Sequence, residues 1–149
     1  MPAVLLPTSR EELRAFYVEA WRKRRERLPA EPLEIQVADV IEQHPEYHAL
    51  LEGDPEALER EWTPEGGESN PFLHLGLHLA IREQAGTDRP PGIAAIHRAL
   101  VARLGRHEAE HRMAERLAEA MWHAQRNNRA PDDVSYLETL QALERDTRP

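Results

Sequence analysis

Apolar residues recur along this chain at intervals of three and four, and the repeat breaks at proline and glycine, the signature of consecutive amphipathic helices. Thr8 or Ser9 is placed to cap a first helix whose stripe is Leu13, Phe16, Tyr17, Ala20 and Trp21 and which stops near Leu28 and Pro29. A second opens at Pro32, carries Leu33, Val37, Val40 and Ile41 on one face, and runs into HPEYHALL, where Pro45 kinks or restarts it. Asp54-Pro55 announces a short helix within the loop 53–69, and Asn70-Pro71 repeats that signal for a helix ending at Gly86, a suitable left-handed cap. After DRPPGI a helix runs through Leu104, Gly105 interrupts, a long helix covers Arg106 to Asn127, and a last one begins between Pro131 and Asp133. No alternating strand run appears. The pattern predicts an all-α fold, a single domain over 1–149 built as an antiparallel bundle of about five to seven helices, with 1–8 and 145–149 frayed.

The histidines decide what this pattern means chemically. At about 100° per residue, His44 and His48 continue the stripe of the second helix if Pro45 leaves the register intact, and His74 shares a face with His78 and Ile81. Leu73, Leu75, Leu77 and Leu79 surround that segment, which reads as a central helix. Inward imidazoles need partners for their ring nitrogens, and side chains four apart on a helix can reach one ion. His111 and Glu115 repeat the spacing at the flank of the long helix and are the residues to complete a ligand set. Tyr17 and Tyr47 are candidates for orienting ligands. His97 reads as a satisfied core residue and His123 as exposed.

Composition narrows the chemistry. The chain has no cysteine, which excludes thiolate ligands and leaves imidazole and oxygen. Zinc is then the first choice and iron, which wants more oxygen, the second. A net charge of -8 argues against nucleic acid and anionic membrane, 40% hydrophobic with 31% charged residues suits a globular protein with no membrane span, and MPAVLLPTSR lacks the basic start and apolar run of a signal peptide, so the cytoplasm is the expected compartment. A second copy or a protein partner stays open.

Two motifs suggest other functions. HEAEH formally matches H-E-x-x-H, with His107 and His111 as zinc ligands and Glu108 as base, but Gly105 puts it at the start of a helix, among charged residues, in a chain without a strand to align a peptide. WRKRRER has the look of a nucleic-acid patch with Trp21 as a platform, yet it falls at the end of a helix, where cations meet the macrodipole.

The stretches AWRKRRERLPAEPLEIQVADVIEQHPEYHALL, NPFLHLGLHLAIREQAGTDRPPGI and EAMWHAQRNNRAPD together resemble a family of small, mostly proteobacterial proteins described only as a domain of unknown function. The resemblance runs from about Arg10 to Leu140 and implies a single bacterial domain, with no activity attached. A looser likeness is to haemerythrin-like bundles, whose histidine and carboxylate ligands come four apart on antiparallel helices; it extends to ligand type and architecture alone.

The expectation is therefore a metal-binding helical protein with His44, His48, His74 and His78 as principal ligands and His111 with Glu115 completing them. Four histidines would close the coordination sphere and make the metal structural; three would leave an open position for hydrolysis or oxygen chemistry, so whether the chain is an enzyme is undecided at this level. The alternative is a metal-free interaction module using the loop GDPEALEREWTPEGGES and its Trp62.

Overall fold

The computed structural model describes residues 9–53, 56, 59–62 and 70–149. Among these residues lie seven α-helices, one 3-10 turn and no strand, so the chain is all-α. The contacts gather it into two compact units, residues 1–75 and 76–149.

The first unit holds α1 (Arg10–Arg25), α2 (Pro32–Glu42), a 3-10 turn (Pro45–Tyr47), α3 (His48–Gly53) and the start of α4 (Pro71–Thr87). Ser9 caps α1 by accepting from the Glu12 backbone N–H at 3.1 Å, with Glu11 and Glu12 in the first turn and four basic residues, Arg22 to Arg25, in the last. The helix ends at Arg25, ahead of the expected Leu28, because Arg27 turns left-handed at φ 56° and the Leu28 N–H closes back on the Lys23 carbonyl at 2.9 Å. α1 buries Tyr17, Ala20 and Trp21, but the stripe is not the expected one: Leu13 is exposed and Arg14 is buried. Arg14 donates to the Arg60 carbonyl at 2.7 Å, and its guanidinium lies 5.1 Å from the Trp62 ring centre and 5.0 Å from that of Phe72. A planar cation between two rings, with one strong acceptor, is satisfied where a leucine would only be covered.

The basic run is engaged with acids of its own unit. Arg22 holds Glu19 and Glu26, Lys23 reaches Glu34 at 2.8 Å, and Arg24 reaches Asp39 at 2.7 Å and Glu42 at 3.2 Å. Trp21 is buried and donates to Glu52 at 3.1 Å, so it presents no stacking platform. α2 buries Glu34, Val37, Ala38, Val40 and Ile41, leaving Leu33 exposed. Pro45 then ends the helical run: the residue before a proline is pushed out of the α region, and His44 sits at φ -125°, ψ 67°. Asp54, Pro55 and most of the expected loop up to Ser69 lie outside the described residues, as do Thr8 and the residues before it.

α4 begins as Asn70-Pro71 predicts, with the Asn70 side chain accepting from the Phe72 and Leu73 N–H groups at 2.9 and 3.3 Å. It is not encircled by buried leucine, because Leu73 is 55% exposed. In the second unit the rest of α4 joins α5 (Ile93–Leu104), α6 (Arg106–Arg126) and α7 (Asp133–Asp146), and the last three pack on one another. α4 runs through Gly86 to Thr87, and the left-handed residue is Asp88 at φ 51°. Asp88 is favoured there because its carboxylate also accepts from the Gly92 and Ala94 N–H groups, both at 3.0 Å, and so starts α5. The core gathers Ile81, Ile93, Ile96, Leu100, Met113, Leu117, Tyr136 and Leu140. Asp132 caps α7, which continues to Asp146, and near its end Glu144 meets Arg148 at 2.7 Å while Arg103 donates to the Glu144 carbonyl at 2.8 Å.

Candidate metal centre

In the first unit the break at Pro45 turns His44 inward. Its ring is fully buried, stacks on Tyr47 with centres 5.6 Å apart, and meets the edge of His74 at 5.0 Å. The His44 Nδ1 lies 2.8 Å from the Val40 carbonyl. A carbonyl only accepts, so Nδ1 carries the proton and Nε2 the lone pair, the form in which an imidazole binds a metal. Burial raises the Tyr47 hydroxyl above its ordinary pKa, with Glu46 adding to the effect. Tyr17 goes elsewhere: it packs on Phe72, and burial alone pushes its pKa up to about 12.

His48 is not brought to this place. The 3-10 turn forced by Pro45 rotates α3 away from the register of α2, so His48 stacks against Trp21 at 4.4 Å and donates through Nε2 to the Ile41 carbonyl at 2.8 Å. With that nitrogen donating, His48 works as a clamp between Trp21 and the end of α2.

In the second unit His78, one helical turn after His74 on α4, is fully buried. Its ring centre lies 4.8 Å from that of His111 and 5.7 Å from that of His107, and those two are 4.5 Å apart along α6. His111 is half-buried, and burial followed by the proximity of His78 and His107 lowers its pKa, favouring the neutral ring. Glu115 is exposed and outside the cluster. Glu108 also faces solvent, where Arg112 holds it at 2.8 Å and lowers its pKa, the opposite of what a general base for peptide hydrolysis requires.

Two pairs of neighbouring imidazoles result, His44 with His74 in the first unit and His78 with His111 in the second, and each of the four offers a ring nitrogen of the kind that could hold a metal ion. Of the six residues expected as ligands, His44 lies beside His74 and His78 beside His111, while His48 is turned to Trp21 and Glu115 to solvent.

A carboxylate, Glu110, is fully buried beside His78. Glu110 receives His78 Nδ1 at 3.4 Å and Arg82 Nε at 3.0 Å on one oxygen, and His97 Nε2 at 3.3 Å and Arg106 Nε at 3.4 Å on the other. Burial raises its pKa, but the hydrogen bonds from His78 and His97 and the charge of Arg82 outweigh that and hold it well below the ordinary carboxylate range. The signal was present: Glu110, Met113, Ala114, Leu117 and Ala124 follow the helical repeat, so the buried stripe of α6 starts earlier than its first large apolar residue.

Residues 9–142 match the family model described as Domain of unknown function (DUF1841), and the chain belongs to that family. No curated protein and no solved structure matches it.

Proposed function

For this member of a family whose function is open, we propose that the chain is a metal-binding protein whose ion is held by His44, His74, His78 and His111, with zinc the first choice and iron the second. The observation that carries this reading is the pairing of imidazoles within each unit of a cysteine-free chain, His44 with His74 at 5.0 Å and His78 with His111 at 4.8 Å between ring centres. Neutral nitrogen donors alone suit zinc, while iron would ask for oxygen ligands, and Glu110 is occupied by its own donors. Four imidazoles complete a tetrahedral sphere, so the metal's role in this proposal is structural. The cytoplasm is the compartment proposed with it. No helix among the described residues is long and apolar enough to cross a membrane.

The experiment is elemental analysis of untagged protein by inductively coupled plasma mass spectrometry, on the wild type and on a variant with all four histidines changed to alanine. Near-stoichiometric zinc or iron in the wild type and none in the variant is the expected result. Metal-free wild type that takes up neither ion, or unchanged metal content in the variant, would overturn the proposal.

A further inference from the structure

We propose that Glu110 is a positioning residue for this site: it holds the proton of His78 on Nδ1 and thereby presents Nε2 to the metal. The inference rests on the metal-binding reading above and extends it to a residue that is not itself a ligand. A neutral imidazole has one N–H and one lone pair, and whichever nitrogen faces a carboxylate keeps the proton. Both partners are 0% exposed, so no water competes for the His78 N–H or the Glu110 oxygen across their 3.4 Å contact.

The surroundings fit this role. Arg82 follows His78 by one turn on α4 and reaches the same carboxylate oxygen at 3.0 Å, so one face of one helix supplies both the imidazole to be oriented and a second donor that fixes its acceptor in place. His97 and Arg106 occupy the other oxygen. With every neighbour a donor, the carboxylate has no reason to turn away. Glu110 also precedes His111 directly in α6, so that helix contributes a ligand and the orienting partner of another ligand side by side. Outer partners of this kind change metal affinity about 10- to 100-fold when removed.

The test uses the full chain labelled with 15N in histidine. In metal-free wild type, long-range 1H–15N spectra are expected to show His78 protonated on Nδ1, and in Glu110→Ala to show that preference lost. Zinc affinity, measured by competition with a chromophoric chelator, is expected to fall about 10- to 100-fold in Glu110→Ala and less in Glu110→Gln, which keeps an oxygen acceptor. Wild-type His78 protonated on Nε2, or an unchanged tautomer and affinity in both variants, would overturn the assignment. The wild-type spectrum needs no variant to fold. If the wild type takes up no zinc the metal reading falls, while the tautomer of His78 still decides whether Glu110 orients it.

Discussion

Removing single histidines separates ligands from clamps, and the size of the effect follows from the chain. A metal that binds only the folded protein stabilises it by RT ln(1 + [L]/Kd), about 2.7 kcal/mol at a free concentration 100-fold above Kd. Unfolding entropy near the midpoint is about 2.1 cal/mol/K per residue, so 149 residues give about 0.31 kcal/mol/K. Zinc at that concentration is therefore expected to raise Tm by about 9 °C. If His78→Ala weakens binding about 100-fold, the same free zinc equals the new Kd, and the stabilisation falls to about 0.4 kcal/mol, a shift of about 1 °C. His48→Ala behaves differently: losing the Trp21 stack and the Ile41 bond lowers Tm with and without zinc alike, and the zinc-induced shift stays near its full size. Differential scanning calorimetry on wild type, His44→Ala, His48→Ala and His78→Ala, each with and without zinc, reads the difference directly, so any loss of metal-free stability cancels. A shift that survives in His44→Ala and His78→Ala but disappears in His48→Ala would refute the ligand set.

Two further predictions concern the scaffold. Gly105 joins α5 to α6 at φ 83°, ψ 157°, and an added Cβ would meet no atom within 4 Å, so Gly105→Ala is expected to cost about 1–3 kcal/mol from backbone conformation alone, measured by urea unfolding; a neutral substitution would contradict the conformation. Glu144 is held down to about 2 by Arg148 and then Arg103, so its contribution to stability is complete above the ordinary carboxylate pKa and is lost as pH falls toward 2; in Arg103→Gln, an NMR titration is expected to find its pKa moved up, and an unmoved value would remove Arg103 as a cause.

Helix starts were legible because caps are local. Ser9, Asn70 with Pro71, and Asp132 each satisfy backbone N–H groups within three residues, and sequence spacing contains everything that interaction needs. The burial of Arg14 was not legible, since its acceptor, the Arg60 carbonyl, lies 46 residues along the chain. Glu110 was hidden by its type: charge in a stripe reads as surface until its donors from α4 and α5 are known. His74 and His78 followed from one continuous helix, and His44 stayed inward. His48 did not follow it, because a proline between two residues four apart breaks the geometry that makes them neighbours. His111 flanks the large apolar residues of α6, and the buried Ala109 and Glu110 before it show that the covered face extends past it.

An all-nitrogen donor set has a chemical consequence for the life of the protein under stress. Zinc sites built on thiolates lose their ion when peroxide or disulfide exchange oxidises the sulfur, and many cellular redox signals are read that way. Imidazoles offer no sulfur to attack, and this chain has no cysteine anywhere to form a disulfide. An ion held by His44, His74, His78 and His111 would stay in place through oxidative conditions that strip a cysteine-ligated one.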